Sequence, residues 1–303
     1  MFSFELTISQ KNALAPGLAA SSHWAEWLSA GSAQEKEAVR QQNASDAINL
    51  DFLPAMQRRR LSPLSRLVFA AAWPILQDNP SCPVVFSSRN GEINRSFQLL
   101  IALAKKEGVS PTSFGLSVHN AIGGQLAIQH SNEAEQSAIS ARDNGIENAL
   151  LDAWLLLQDG AERVLVICAQ DPLDTQYDVK IDREPFPFAC ALLITRGTQW
   201  RLSRGPLNTS APADAQGANQ SAINSEGDAG VIARLEAGHD HWTTPSCLTS
   251  GRISGLAVDQ ASGQTSGPAS APASGSATEV DTIQPESVSS CPDLNAWTWT
   301  RQT

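Results

Sequence analysis

The chain has 303 residues, of which 42% are hydrophobic and 17% charged, so it can form one or two domains with a substantial core. Its 31 acidic and 21 basic residues give a net charge of −10, which argues against a general nucleic-acid-binding protein. No stretch is long and apolar enough to span a membrane, and the start MFSFELTISQ does not resemble a signal peptide, so a cytoplasmic location is expected.

The first 200 residues predict alternating strands and helices. Strand-like stretches are FSFELTI, CPVVFSS, RVLVICAQD and FACALLITRG. Helical spacing of apolar residues marks LSPLSRLVFAAAWPIL, INRSFQLLIALAKKEG and SVHNAIGGQLAIQH, and Pro74 is expected to bend the first of these helices or end it early. The resulting order, βαβαβαββ, predicts an α/β fold with a mostly parallel sheet covered by helices.

A strand, a tight turn and an amphipathic helix follow one another in SAISARDNGIENALLDAW, residues 137–154. Enzymes use this arrangement to hold a nucleophile at the N-terminus of a helix. The turn from Ala141 to Gly145 contains neither Ser nor Cys, whereas Asp143 and Asn144 are both good N-cap residues. The turn is therefore interpreted as the start of a helix.

The composition changes near residue 203. Between residues 203 and 290 Ala, Ser, Gly, Thr and Pro dominate, and Trp242 is the only aromatic residue. Burial of the few apolar side chains here cannot offset the entropy lost on ordering the chain. Residues 203–290 are therefore expected to be disordered and dispensable for a folded domain at 1–202. The alternation in LNAWTWTRQT predicts a terminal strand at a sheet edge within residues 291–303, with a free aromatic tail as the alternative.

The potential ligand-binding side chains predict neither a metal nor another cofactor. The five cysteines are scattered without metal-ligand spacing, and Cys168 and Cys190 lie in apolar stretches typical of buried thiols. His239 and His241 form a pair with no further ligand nearby. The stretch SSRNGEINRS lacks the glycine pattern of a nucleotide site.

The first 200 residues resemble β-ketoacyl synthases in several stretches, which come in the same order along the chain. The resemblance rests on LTISQKNALAPGLAASSHWAEWLSAG, RRRLSPLSRLVFAAAWPIL, GLSVHNAIGGQLAIQH and SAISARDNGIENALLDAWLLLQDGAERVLVICAQDP. More narrowly, MQRRRLS, SVHN and the Trp-x-Trp end resemble the stand-alone β-ketoacyl-synthase-like N-terminal domain proteins. These are chain-length-factor-like partners in aryl polyene and related fatty-acid-type pathways. The implied fold is half of a thiolase-like domain.

The resemblance places Arg142 at the position of the catalytic Cys. A guanidinium group stays protonated and cannot act as a nucleophile. The family's catalytic His or Asn residues belong to a C-terminal half that the low-complexity segment replaces, so no catalytic residue is expected and the protein is expected not to be an enzyme by itself. Arg142 is instead a candidate for blocking the acyl tunnel or contacting a partner. Together with His119 and Asn120 it is a candidate acyl-pocket residue, although a core or interface role for His119 is the alternative.

The resemblance also implies a partner interface. In thiolase-like dimers the strand before the nucleophile turn pairs with its equivalent in the partner. In this chain that strand consists of Ala138, Ile139, Ser140 and Ala141. Gly123 and Gly124 on the preceding helix would permit close approach. The implied partner is an active β-ketoacyl synthase, in a heterodimer through which the chain would meet the acyl carrier protein.

Three functions follow as hypotheses. The first is a non-catalytic chain-length-factor-like subunit that shapes the acyl tunnel of a β-ketoacyl synthase in polyene or fatty-acid-type biosynthesis. The second is a stand-alone acyltransferase or condensing enzyme with an unrecognised nucleophile such as Cys168. The third is a module that only binds the acyl carrier protein or an acyl chain.

Overall fold

The computed structural model describes residues 2–44, 48–141, 143–177, 186–206, 227–246 and 295–302. The strands are β1 (Phe2–Leu14), β2 (Val84–Ser87), β3 (Gln136–Ile139), β4 (Arg163–Gln170), β5 (Phe188–Pro206), β6 (His241–Ser246) and β7 (Asn295–Arg301). The helices are α1 (Ser21–Ser29), α2 (Ala33–Gln42), α3 (Ala55–Arg58), α4 (Pro63–Asp78), α5 (Ile93–Ala104), α6 (Pro111–Gly115), α7 (Ala121–His130), α8 (Gly145–Gln158) and α9 (Gly227–Ala237). None of these described helices has the length and apolar character needed to cross a bilayer.

All the described strands join one sheet, and the predicted α/β fold is confirmed. The sheet is mixed where a mostly parallel one was predicted, since two of its six described pairings are parallel. Its order is β3-β2-β4-β5-β7-β6, and β1 pairs with the other side of β5. The pairings of β2 with β3 and β4 are parallel, because helices connect these strands. The pairings of β5 with β1, β4 and β7, and of β6 with β7, are antiparallel. The parallel part of the sheet therefore carries the predicted strand–turn–helix.

Each face of the sheet is buried under helices. On one face α1, α8 and α9 pack in a core that includes the inward side chains of β1 and β7. On the other face α4 and α7 cover β2, β4 and β5. The amphipathic helix predicted after the turn is confirmed as α8. Of its apolar positions, Trp154 is half-buried and the others are buried: Ile146, Ala149, Leu150, Ala153 and Leu157. The sheet thus holds both ends of α8 in defined positions.

Pro74 does not end its helix as expected. Helix α4 continues to Asp78, although Pro74 has no N–H to donate to the carbonyl of Ala70. The side-chain amide of Asn12 on β1 supplies the missing donor: its Nδ2 lies 3.3 Å from Ala70 O and 3.0 Å from Ala71 O. A tertiary contact therefore satisfies the carbonyl that the proline leaves free.

Replacing Asn12 by Ala is expected to lower the free energy of unfolding by about 1–3 kcal/mol, because a buried carbonyl then loses its donor. Chemical denaturation of the two proteins measures this loss. In a Pro74→Ala background the helix regains its own N–H donor, so the same Asn12→Ala change should cost less. Equal costs in both backgrounds would contradict this account of how α4 continues.

The expectation of disorder between residues 203 and 290 is wrong for residues 203–206, which form the end of β5. It is also wrong for residues 227–246. These residues form α9 and β6, and α9 buries Ala229, Val231, Ile232 and Leu235 in the same core as α8. A short helix with good apolar content was hidden because the surrounding Ala- and Ser-rich stretches dominate the average composition. Residues 207–226 and 247–294 lie outside the described part of the chain.

The C-terminal Trp-x-Trp stretch is a strand, but not an edge strand. β7 lies between β5 and β6, and Trp297 and Trp299 are buried. The rings of Trp242 and Trp299 stack with centroids 4.9 Å apart, and Trp200 meets both rings edge-on. The period-two pattern predicted the strand correctly, whereas its position depended on β6, which had no predicted counterpart.

Candidate functional site

The turn predicted between β3 and α8 lies at the carboxyl edge of the parallel strands β3, β2 and β4. Ligands bind at this edge in open α/β sheets. Short contacts join the ends of the three strands there: Ser88 N donates to Ile139 O at 3.1 Å, and Ser140 Oγ donates to Arg89 O at 2.8 Å. Arg89 N donates to Gln170 Oε1 at 3.0 Å. The edge therefore forms one connected polar surface next to the start of α8.

The turn before α8 starts the helix where the sequence predicted it. Asn144 occupies the N-cap position with φ of 57° and ψ of 46°, in the left-handed region that non-glycine residues seldom adopt. Its side chain makes no capping hydrogen bond, so the capping predicted for Asn144 is not seen. Arg142, the residue predicted at the nucleophile position, lies outside the described residues.

A carboxylate of the chain itself fills the N-terminus of α8. Asp228 on α9 accepts a hydrogen bond from Ile146 N at 3.3 Å and another from Gln170 Nε2 at 3.2 Å. Gly145 permits this approach, because a Cβ atom there would lie 2.6 Å from Asp228 Oδ2. A helix N-terminus attracts negative charge, and in acyl-transfer enzymes such donors bind the developing oxyanion. Here Asp228 already uses that position.

Glu147 lies one residue further along α8 and is completely buried. Its Oε1 accepts hydrogen bonds from Thr244 Oγ1 at 2.6 Å and from Trp299 Nε1 at 3.1 Å. Its Oε2 is buried and has no hydrogen-bond partner among the described residues. Burial, followed by the negative charge of Asp228, raises the pKa of Glu147 to about 7.

The cysteines near the site do not have the surroundings of reactive thiols. Cys168 on β4 and Cys190 on β5 are opposite one another in the antiparallel ladder, and both are buried. Cys168 Sγ lies 3.5 Å from Asp228 Oδ2, whereas activated thiols are partly exposed beside a cation or a histidine. Burial raises the pKa of Cys190 strongly. The prediction of buried, packed thiols is confirmed for both residues.

Of the residues predicted to line an acyl pocket, His119 and Asn120 lie in the described part of the chain and Arg142 lies outside it. His119 Nε2 lies 2.6 Å from Ser88 O, and its ring meets that of Phe86 at 6.0 Å, which agrees with a packing role. Asn120 is exposed at the N-cap position of α7. A groove of about 410 Å³ lies elsewhere, at the C-terminal end of α8, where Trp154 and Leu157 line it.

The two histidines of the C-terminal segment lie at the start of β6. Both are exposed, and His241 Nδ1 lies 3.1 Å from Thr300 Oγ1. In the part of the chain that the structure describes, no group of three His, Cys, Asp or Glu side chains could hold a metal ion.

The strand predicted to form an interface ends as β3 at Ile139, and among the described strands it lies at an edge of the sheet and pairs only with β2. The carbonyls of Glu135 and Ile139 accept from β2, at 2.9 and 3.1 Å, so the backbone groups of Gln136 and Ala138 point away from β2. Ala138 and Ser140 are exposed, Ala141 is half-buried, and Ile139 is partly buried against the core around α8. These outward backbone donors and acceptors could pair with another strand.

The two glycines of α7 face different surroundings. Gly123 is buried, and a Cβ atom there would lie 3.7 Å from Phe86 Cβ and from Gln136 Oε1. A Cβ atom on Gly124 would meet nothing within 4 Å. A Cβ atom on Gly123 would make ordinary contacts inside the chain, whereas Gly124 has open space, and the interface role of the two residues stays a prediction.

Helices α5 to α7 present a set of exposed apolar side chains, called here the α5–α7 apolar surface. Its members are Leu100, Leu103, Phe114, Val118 and Ile128, with exposed fractions between 43% and 77%. Helix α5 is strongly amphipathic in sequence, yet it buries no residue fully. Helix α7 contacts β3 through Gln136 Nε2, which lies 3.4 Å from Gly123 O. Exposed apolar groups of this kind mark interaction sites in stable proteins.

Known proteins resemble this chain in sequence pattern and in fold. The family model for the N-terminal domain of beta-ketoacyl synthases matches residues 24–250, which is most of the chain and includes α9 and β6. No curated protein matches the sequence.

Two solved structures show the same fold. A ketosynthase (ApeO) in complex with its chain length factor (ApeC), from Xenorhabdus doucetiae, matches with a TM-score of 0.66 and 22% identity over 98% of this chain and 100% of that chain. The ishigamide ketosynthase/chain length factor matches with a TM-score of 0.50 and 13% identity over 78% and 74%. The predicted thiolase-like fold is thus confirmed.

Proposed function

The chain belongs to the family of β-ketoacyl synthase N-terminal domains, and from this we propose that it is a non-catalytic, chain-length-factor-like subunit. It pairs with an active β-ketoacyl synthase, shapes the acyl tunnel of that enzyme, and meets the acyl carrier protein through the complex. The pathway is of the aryl polyene or fatty-acid type, in the cytoplasm. The first of the two solved structures described above is a complex of a ketosynthase with its chain length factor, which supports this class of assembly.

The observation that carries the non-catalytic role is the carboxylate of Asp228 at the N-terminus of α8. A condensing enzyme needs a thiolate at this place and free N–H donors for an oxyanion. Ile146 N is already used by Asp228, and a second negative charge beside that carboxylate would be strongly disfavoured. Arg142, at the nucleophile position by resemblance, offers no nucleophile either. Among the described residues at this place, no nucleophile is present and the N–H of Ile146 is already bonded, which supports the non-catalytic role.

The unpaired edge of β3 supports the partner interface. The sheet has two other edge strands with features that discourage pairing: β1 contains two register irregularities and Lys11, and β6 contains Pro245, which has no N–H. β3 has none of these, and its outward groups belong to Gln136 and Ala138. Helix α7, which carries Ile128 of the α5–α7 apolar surface, contacts Gln136 of β3, and we infer that the same partner covers both.

Replacing Ala138 by Pro tests this interface. The substitution removes an N–H that points away from β2, so the chain should fold as before but lose the strand pairing with its partner. Co-expression with candidate β-ketoacyl synthases, followed by affinity purification and mass spectrometry of the products, measures assembly and chain length. We expect loss of the complex and of the long-chain product.

Ala138→Thr is the matched control, because it keeps the N–H and suits a strand. It should leave the complex intact. Retention of the complex by the Pro variant would place the interface elsewhere. Transfer of an acyl group from acyl carrier protein to the isolated chain would overturn the non-catalytic role and favour the alternative of an enzyme that uses Cys168.

A further inference from the structure

The two buried carboxylates, Glu147 and Asp228, join the C-terminal elements to α8. Asp228 binds α9 to the first turn of α8 through Ile146 N. Glu147 accepts from Thr244 on β6 and from Trp299 on β7. All three elements that follow β5 in the described chain therefore make polar contacts at one point, in the first turn of α8.

In the part of the chain that the structure describes, no positive charge pairs with either of these buried carboxylates. Among the same residues Glu147 Oε2 has no hydrogen-bond partner. Burying one unpaired carboxylate is costly, and burying two near one another is more so. A proton on Glu147 Oε2 removes one of the two charges and leaves both hydrogen bonds to Oε1 in place.

The described groups that contact the two carboxylates from the surrounding elements are neutral. On β6 and β7 they are the hydroxyl of Thr244 and the indole of Trp299, and on β4 they are the thiol of Cys168 and the amide of Gln170. Beyond them on β5 lies the thiol of Cys190. Burial raises the pKa of this thiol, the charge of Glu236 raises it further, and the charge of Lys11 lowers it. Lys11 itself pairs with Glu236 at 3.2 Å, so its charge is already compensated.

We propose that the buried side chain of Glu147 carries a proton on Oε2 in the folded chain, and that this proton holds α9, β6 and β7 against α8. Loss of the proton places an unpartnered negative charge in the buried site and releases these elements locally. The device does not depend on the function proposed above, because it concerns the folding of the chain itself. It makes docking of the C-terminal elements sensitive to pH in the neutral range.

The direction of the effect follows from the proton balance. The pKa of Glu147 rises from 4.5 to about 7 on folding, so the folded form binds more protons than the unfolded form between these values. The stabilisation is fully present below about pH 4.5 and is lost as the pH rises through about 7. The opening equilibrium of the C-terminal elements should increase on the order of a hundredfold across this window.

Hydrogen–deuterium exchange with mass spectrometry on the full chain tests the proposal at about pH 5.5 and about pH 8.5, after correction for the intrinsic exchange rate. In the wild type, amides of Gly227–Ala237 and Asn295–Arg301 should lose protection at the higher pH, while those of Arg163–Gln170 should not. Glu147→Gln keeps an acceptor for Thr244 and Trp299 but cannot ionise. In this variant the protection of the same amides should not depend on pH.

Glu162→Gln is the matched control, because the side chain of Glu162 is 86% exposed, and it should behave as the wild type. Equal pH dependence in the wild type and in Glu147→Gln would overturn the proposal. Infrared spectroscopy of the wild type provides a test that needs no variant to fold. A protonated carboxylic acid should be present near pH 6 and disappear together with the protection of α9 and β7; its absence would also overturn the proposal.

Discussion

A chain in which residues 227–246 are replaced by a Gly-Ser linker of equal length is expected not to fold cooperatively. The replacement removes the buried side chains of Val231, Ile232, Leu235 and Trp242. Each contributes about 1.5–3 kcal/mol by burial, so the sum is comparable with the whole stability of a typical domain, about 5–15 kcal/mol. Thermal unfolding followed by circular dichroism should show no sharp transition.

The matched control replaces residues 255–274 by the same linker. This stretch is rich in Ala, Ser and Gly, and its composition predicts that it is dispensable for the fold. The control should unfold at the wild-type midpoint. If instead the first variant melts normally, α9 and β6 contribute little to the core, and the packing described around α8 is wrong.

The combined substitution of Phe114 and Ile128 by Asp is expected to abolish assembly with the ketosynthase. Both side chains are mostly exposed, at 63% and 77%, so the isolated chain should keep its stability. In the proposed complex they become buried, and two unpaired carboxylates there would cost several kcal/mol. Size-exclusion chromatography of the co-expressed proteins measures the loss of the complex, and mass spectrometry measures the loss of product.

Leu155→Asp is the control for this double variant. Leu155 is 52% exposed on α8, outside the α5–α7 apolar surface. Its substitution should leave assembly intact. If Leu155→Asp disrupts the complex while the double variant assembles normally, the partner covers the C-terminal end of α8 instead of the α5–α7 apolar surface.

The elements that follow a strong local pattern were predictable from the sequence. The apolar spacing of α8 and the continuous apolar stretch of β4 each determine one burial pattern, and the structure confirms both. The continuation of α4 past Pro74 was not predictable in the same way. The donor that satisfies the free carbonyl of Ala70 is Asn12, which lies on β1 far away in sequence. Local rules describe what a proline removes, but they do not show what replaces it.

The chemistry of the site was only partly predictable. The missing nucleophile is visible in the turn before α8, whereas Asp228 is not, because it comes from a segment whose composition indicates disorder. Its signal was an Asp in the first turn of the short apolar helix GDAGVIARLEAG. Glu147 looks like an ordinary acidic residue of a first helical turn, which is usually exposed. Only the arrival of β6 and β7 buries it.

The central position of β7 has a consequence for the order of events during synthesis. Among the described strands β6 pairs only with β7, and β7 follows it after residues 247–294. A nascent chain that has reached β6 therefore exposes the indole rings of Trp200 and Trp242, because the ring of Trp299 that packs against both is still missing. Closing this long loop is an entropically slow step. Until β7 arrives, the growing chain should be a substrate for chaperones, and ribosomes stalled before residue 295 should yield protease-sensitive products.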